Sequence, residues 1–117
     1  MSISTFIRTS GNLAAAAGSA TIEVVPGVTS YLTGFSITGA GATAASVVQA
    51  TITGLQGGTL EFVIAVPAGV TAAIAPLVVN FPSPLAAAGP NVAISVNLPS
   101  LGAGNTAACA NAYAFRQ

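Results

Sequence analysis

The chain has 117 residues, and only four carry a charge at neutral pH: Arg8, Glu23, Glu61 and Arg116. Lysine, aspartate and histidine are absent and 3% of residues are charged, where an ordinary soluble domain is about a quarter charged. That shortage excludes most catalytic, metal-binding and phosphate-binding chemistry, and it leaves a surface with little to repel a neighbouring copy.

In chain order, residues 1–19 read as an extended N-terminal arm that holds a short strand near 3–9 and a short extra piece at 12–17. A second strand is expected at 20–26, ended by Pro26-Gly27. In the third, 29–38, Tyr31, Phe35 and Ile37 fall on one face by period two. The fourth, 44–54, sets Val48, Ala50 and Ile52 against Gln49, Thr51 and Thr53. After Gly57-Gly58 comes 59–67, where Leu60, Phe62, Ile64 and Val66 alternate with Thr59, Glu61, Val63 and Ala65. Strands at 74–81, closed by Pro82 and Pro84, and at 91–98, closed by Pro99, precede the last at 106–115. These runs are rich in Val, Ile, Thr and aromatic residues, which suit a pleated, half-buried surface. Leu13–Ala17 and Leu85–Ala88 are the only helix candidates; each runs into glycine within about one turn. The fold class is all-β: one antiparallel β-sandwich or jelly roll of about eight strands, a single domain over 1–117.

The last strand carries alanine on alternate positions. Ala108, Ala110, Ala112 and Ala114 share one face, and Cys109, Asn111, Tyr113 and Phe115 share the other. With Tyr113 and Phe115 turned to the core, the four alanines face outward. They are then the candidate subunit contact, because small side chains let another chain approach closely.

The usual chemical sites find no material. Cys109 and the serines lack a histidine or lysine base, and Cys109 reads as a small buried residue of a strand. As the only cysteine, it cannot form an internal disulfide. Glu23 and Glu61 are the one possible carboxylate pair, and each is better explained as pointing outward or pairing with Arg8 or Arg116. Two glutamates and a cysteine make no convincing metal site. Gly39-Ala40-Gly41-Ala42-Thr43-Ala44 and Gly102-Ala103-Gly104-Asn105-Thr106-Ala107 match a dinucleotide-binding pattern, but neither is followed by a helix to receive a pyrophosphate. Both read as turns. Two arginines are too few to hold nucleic acid by its phosphates. No enzyme activity, cofactor or metal is expected. The apolar stretches Phe62–Val66 and Ile74–Val79 are far shorter than a membrane-spanning helix needs, so no membrane association is expected, and no cleaved leader or glycosylation sequon is recognised.

A folded monomer of 11.2 kDa exposes roughly 5,700 Å² by the scaling of surface with mass. Four charges over that area suit permanent assembly better than a free monomer.

Several segments resemble the small jelly-roll virion proteins of tailed bacteriophages that decorate or cement the capsid. They are Tyr31-Leu-Thr-Gly-Phe-Ser-Ile-Thr38, Gly58-Thr-Leu-Glu-Phe-Val-Ile-Ala-Val-Pro-Ala-Gly69, Leu77-Val-Val-Asn-Phe-Pro-Ser-Pro84 and Gly102-Ala-Gly-Asn-Thr-Ala-Ala-Cys-Ala-Asn-Ala-Tyr113. The similarity lies in strand length, turn placement and neutral composition from about residue 20 onward. It implies a capsid decoration subunit, made in the host bacterial cytoplasm and located on the virion surface. Its partners would be the major capsid protein and copies of itself, as a dimer or trimer. The rival expectation is a glycan- or host-binding β-sandwich of a phage fibre or spike, using Tyr31, Tyr113 and loop amides. A surface-active or ice-binding role would require a regular threonine array, and the threonines here are scattered.

Overall fold

A computed structural model describes residues 4–117; Ile3, at the start of the first expected strand, lies outside them. The strands are β1 (Phe6–Thr9), β2 (Gly18–Ile22), β3 (Ser30–Ala40), β4 (Ser46–Leu55), β5 (Gly58–Val66), β6 (Leu77–Ala86), β7 (Ile94–Leu98) and β8 (Ala107–Arg116). No helix occurs among the described residues. The first sheet has the order β1-β8-β3-β6 and the second β2-β7-β4-β5. Four antiparallel pairs nest one inside the next: β1 with β8, β2 with β7, β3 with β6, β4 with β5. Rolling this long hairpin closed adds the pairs β3–β8 and β4–β7. That is the jelly-roll sandwich.

The core lies between the sheets. Leu32, Phe35 and Ile37 of β3 meet Ile22, Ile94, Val96, Leu98 and Ile52 of the second sheet, all buried. Phe35 is the centre of an aromatic group, its ring 5.0 Å from Phe62 and 6.1 Å from Phe81.

Four expectations need correction. Residues 1–19 do not form a free arm over their described part. Phe6–Thr9 pairs along β8 as an edge strand, and Gly18 and Ser19 already belong to β2. Tyr31 does not share a face with Phe35 and Ile37: the register shifts between Leu32 and Gly34, and one extra residue in a strand reverses the faces beyond it. The run 74–81 does not stop at the prolines. β6 continues through Pro82 and Pro84 to Ala86, which an edge strand tolerates because an outward-facing position has no ladder hydrogen bond to lose.

The fourth concerns β8. Ala108, Ala110, Ala112 and Ala114 are 0–3% exposed and line the core, so they are not a surface subunit contact. The physical reason is volume. β8 lies inside the first sheet between β1 and β3, facing β2 and β7, which bury Ile22, Ile94, Val96 and Leu98; sheets only about 10 Å apart need small residues opposite large ones. Cys109, Asn111, Tyr113 and Phe115 are therefore on the outer face, half-buried.

At Gly54 the backbone has φ +84°, and a Cβ there would strike the carbonyl of Ala93. This glycine lets β7 approach β4 at the irregularity between Ile52 and Leu55.

Candidate functional site

The long sides of the sandwich differ sharply. On one side β1 and β2 are edge neighbours, and three of the four charged residues lie there. Arg8 Nε donates to Glu23 Oε2 at 2.8 Å, and Arg8 Nη2 donates to Glu23 Oε1. Arg116 Nη2 donates to the Glu23 backbone oxygen at 2.9 Å and to Oε1 at 3.1 Å. Both guanidinium groups lie on the ring of Phe6, 4.7 and 4.4 Å from its centroid. Arg8 belongs to β1, Arg116 ends β8 and Glu23 follows β2, so this cluster ties one sheet to the other. The bond from Arg8, with help from the backbone and Arg116, lowers the Glu23 carboxyl from 4.5 to about 2. The same pairing raises Arg8.

The opposite side, between β5 and β6, has no such closure. Leu60 points inward from β5 yet is 37% exposed. Phe62, Val79 and Phe81 are also only partly buried. A cavity of about 580 Å³ opens at one end of this seam, lined by Leu55, Gln56, Leu60, Phe81, Pro84 and Leu85 among others. A smaller one of about 220 Å³ lies further along, against Ile64, Pro76 and Leu77. Neither is lined by a charged side chain. On the outer face nearby, Val47 is 69% and Val63 72% exposed; Val47 is opposite Ala65, and Val63 opposite Gln49. A polar strand face with a bare valine was visible in the alternation Thr59, Glu61, Val63, Ala65, but sequence reasoning gave it no role.

The outer faces of the two sheets are uncharged in their middle. On the second sheet Asn97 is a hub: Ser19 Oγ donates to its Oδ1 at 2.6 Å, and its Nδ2 donates to Thr51 Oγ1 at 3.2 Å and Thr53 Oγ1 at 3.3 Å. Its amide is thus already used by its own neighbours. On the first sheet the rings of Tyr31 and Phe115 stack at 4.9 Å and 7°, and the hydroxyls of Tyr113 and Ser36 bond at 3.1 Å. Ile7 and Val78 stand beside them, 63% and 60% exposed.

The other sequence candidates are dispersed. Glu23 and Glu61 lie at opposite edges of the second sheet, separated by three strand spacings, about 14 Å across the strands alone, with Glu61 level with Ser19 and not with Glu23; that is beyond the separation that glycosidase carboxylates use. Cys109 is half-buried on the outer face, 3.4 Å from Thr9 Oγ1 and 3.9 Å from Ser10 Oγ. Both glycine-rich dinucleotide look-alikes connect strand to strand. No cluster of three His, Cys, Asp or Glu forms among the described residues, and no helix among them is long and apolar enough to cross a membrane. The role of Asn105 was missed. Only 4% exposed, it donates to the carbonyls of Ala40 at 2.6 Å and Ala107 at 2.9 Å and accepts from Ala15 N at 3.0 Å. Gly104-Asn105 reads as a turn, but nothing local says that its amide joins three segments.

No family model matches the chain, and no curated protein matches it. Among solved structures it is similar to a chain in the cryo-EM structure of the extra small virus (XSV) VLP of the giant freshwater prawn Macrobrachium rosenbergii. The identity is 7%, the TM-score 0.37, and the match covers 98% of this chain and 77% of that one.

Proposed function

We propose that this protein is a non-enzymatic structural subunit that decorates or cements a viral capsid, docking on the shell protein and on copies of itself through neutral and apolar surface. One observation carries the reading. The accessible surface is 5813 Å², close to the roughly 5,700 Å² of a free monomer of this mass, yet it carries four charged residues, three of them gathered at one edge. The rest presents hydroxyls, amides and bare valines, with an open apolar seam at the far edge. Burying such a surface costs little charge desolvation and releases water from apolar area at about 25 cal/mol per Å². The bacteriophage shell as partner, and the virion surface as location, come from the resemblance of the strand and turn segments to phage decoration proteins.

The test is binding of the purified chain to capsid shells, read by co-sedimentation at about 0.1 M and about 1 M salt, where the screening length falls from about 10 to 3 Å. Binding should change little between the two. Binding lost at high salt, or absent at both, overturns the reading.

A further inference from the structure

We propose that β5 is the strand through which two copies of this chain pair, antiparallel, about a two-fold axis at Phe62. The inference rests on the assembly reading and adds to it the surface, the partner strand and the register.

The two sheets have four edge strands, β1, β6, β2 and β5. An unpaired edge offers free N–H and C=O groups to any other strand, and proteins blunt such edges by shortness, proline or charge. Among the described residues β1 has four residues and β2 has five. β6 is long but carries Pro82 and Pro84. β5 has nine residues, no proline and a single charge, Glu61. It is the one edge that is both long and unguarded. Its inward side is also unfinished: Leu60 is 37% exposed and Phe62 half-buried because no strand lies beyond them.

The occupant follows from the strand itself. β5 runs from Gly58 to Val66, so Phe62 is its midpoint. With a two-fold axis there, each residue meets the one equally far on the other side. Leu60 faces Ile64 of the second copy, Thr59 faces Ala65, and Glu61 faces Val63. Inward apolar residues then meet inward apolar residues, and the two Glu61 carboxylates are not directly opposed. An axis at Glu61 would oppose them directly. Full overlap of nine residues supplies about eight to ten backbone hydrogen bonds, the number a typical protein interface contains in all. The pairing is isologous and closes as a dimer. It extends the second sheet across both copies and covers the seam beside β5.

Two experiments test it. In a Cys109→Ser background, Thr59→Cys and Ala65→Cys chains are mixed and oxidised. The register predicts a disulfide between the two variants. It predicts none within Thr59→Cys alone, whose own copies sit six residues apart along the strand, about 20 Å. No cross-link in the mixture, or equal cross-linking of Thr59→Cys by itself, overturns the pairing. The second experiment is sedimentation of the full chain with Val63 changed to either charge. Val63→Lys sets a lysine opposite Glu61 twice per dimer and should tighten association roughly threefold, while Val63→Glu sets glutamates face to face and should weaken it roughly tenfold. A merely apolar patch would be weakened by both. If the wild-type chain self-associates and Val63→Glu leaves it unmoved, β5 pairing is wrong and the assembly reading stands. A wild-type chain that stays monomeric overturns the pairing, and shell binding then decides the broader reading.

Discussion

Glu23→Gln tests the clamp that closes the β1/β2 side. The charged carboxylate accepts from Arg8 and Arg116, and its depressed value of about 2 marks how much the folded state prefers it ionised. Taken at face value, a drop from 4.5 to about 2 is worth about 3 kcal/mol at about 1.36 kcal/mol per unit. The Glu23 side chain is 53% exposed, however, so water and salt screen the attraction, and exposed pairs measure about 0.2–1 kcal/mol each. Two arginines therefore bring the expected loss to about 0.4–2 kcal/mol. The sign is set by the direction of the shift. A carboxyl lowered on folding contributes fully above its unfolded value and loses that contribution as pH falls through its folded value. The stability gap between wild type and Glu23→Gln should thus be full at pH 7, shrink below about 4.5 and vanish near 2. Urea unfolding at a series of pH values measures it, and the chain suits the experiment because its only other side-chain carboxylate is Glu61. A gap that persists unchanged at the acid end, or no gap at pH 7, would refute the clamp.

Ala112→Leu forces extra volume into a fully buried position and should destabilise the fold by about 1–3 kcal/mol, read from the urea midpoint. If the alanine face were surface, the change would stay within about 0.5 kcal/mol. Asn105→Ala removes three hydrogen bonds, those to the Ala40 and Ala107 carbonyls and that from the Ala15 N–H, and leaves the Ala40 carbonyl only its contacts from Thr106. It should cost about 1–3 kcal/mol and speed amide exchange at Ala15, whereas an unaltered melting temperature would contradict the hub role. Gly54→Ala and Gly57→Ala form a pair, since both glycines have positive φ but only Gly54 has a backbone atom in the way of a Cβ. Gly57→Ala should cost about 1–2 kcal/mol from conformation alone, and Gly54→Ala clearly more. Equal losses would show that β7 does not need the close approach.

The strands and turns were legible because alternation and Gly/Pro punctuation are local signals. Period two separates two faces but does not say which one points inward. For β8 the usual preference, aromatic inward and small outward, gave the wrong answer. Alanine is inside because the facing strands are already full, which is a property of the partner sheet. Tyr31 was misplaced for a related reason: a bulge at Thr33 shifts parity by one, and no residue there announces it. The prolines of β6 stop a central strand but not an edge strand, and edge status belongs to topology. The ion-pair cluster was partly readable, since four charges allow few pairings, yet its position as a tie between sheets required Arg8, Glu23 and Arg116 to be brought together from three elements.

Those corrections change where the assembly surface lies. The alanine stripe looked like a contact because it was small and apolar, and it turns out to be the interior. What remains outside is a molecule with its charges concentrated on one long side and its unguarded strand on the other. Charge repels strand addition, so the β1/β2 side, which is short-stranded and holds a net charge of +1 from two arginines and one glutamate, is poorly suited to pairing. β5 is long and free of proline, and its one charge, Glu61, lies on the outer face. The scarcity of charge is therefore not uniform, and its distribution is the more informative fact: three of the four charges close one edge by pairing with each other, and the other edge carries Glu61 alone along nine residues.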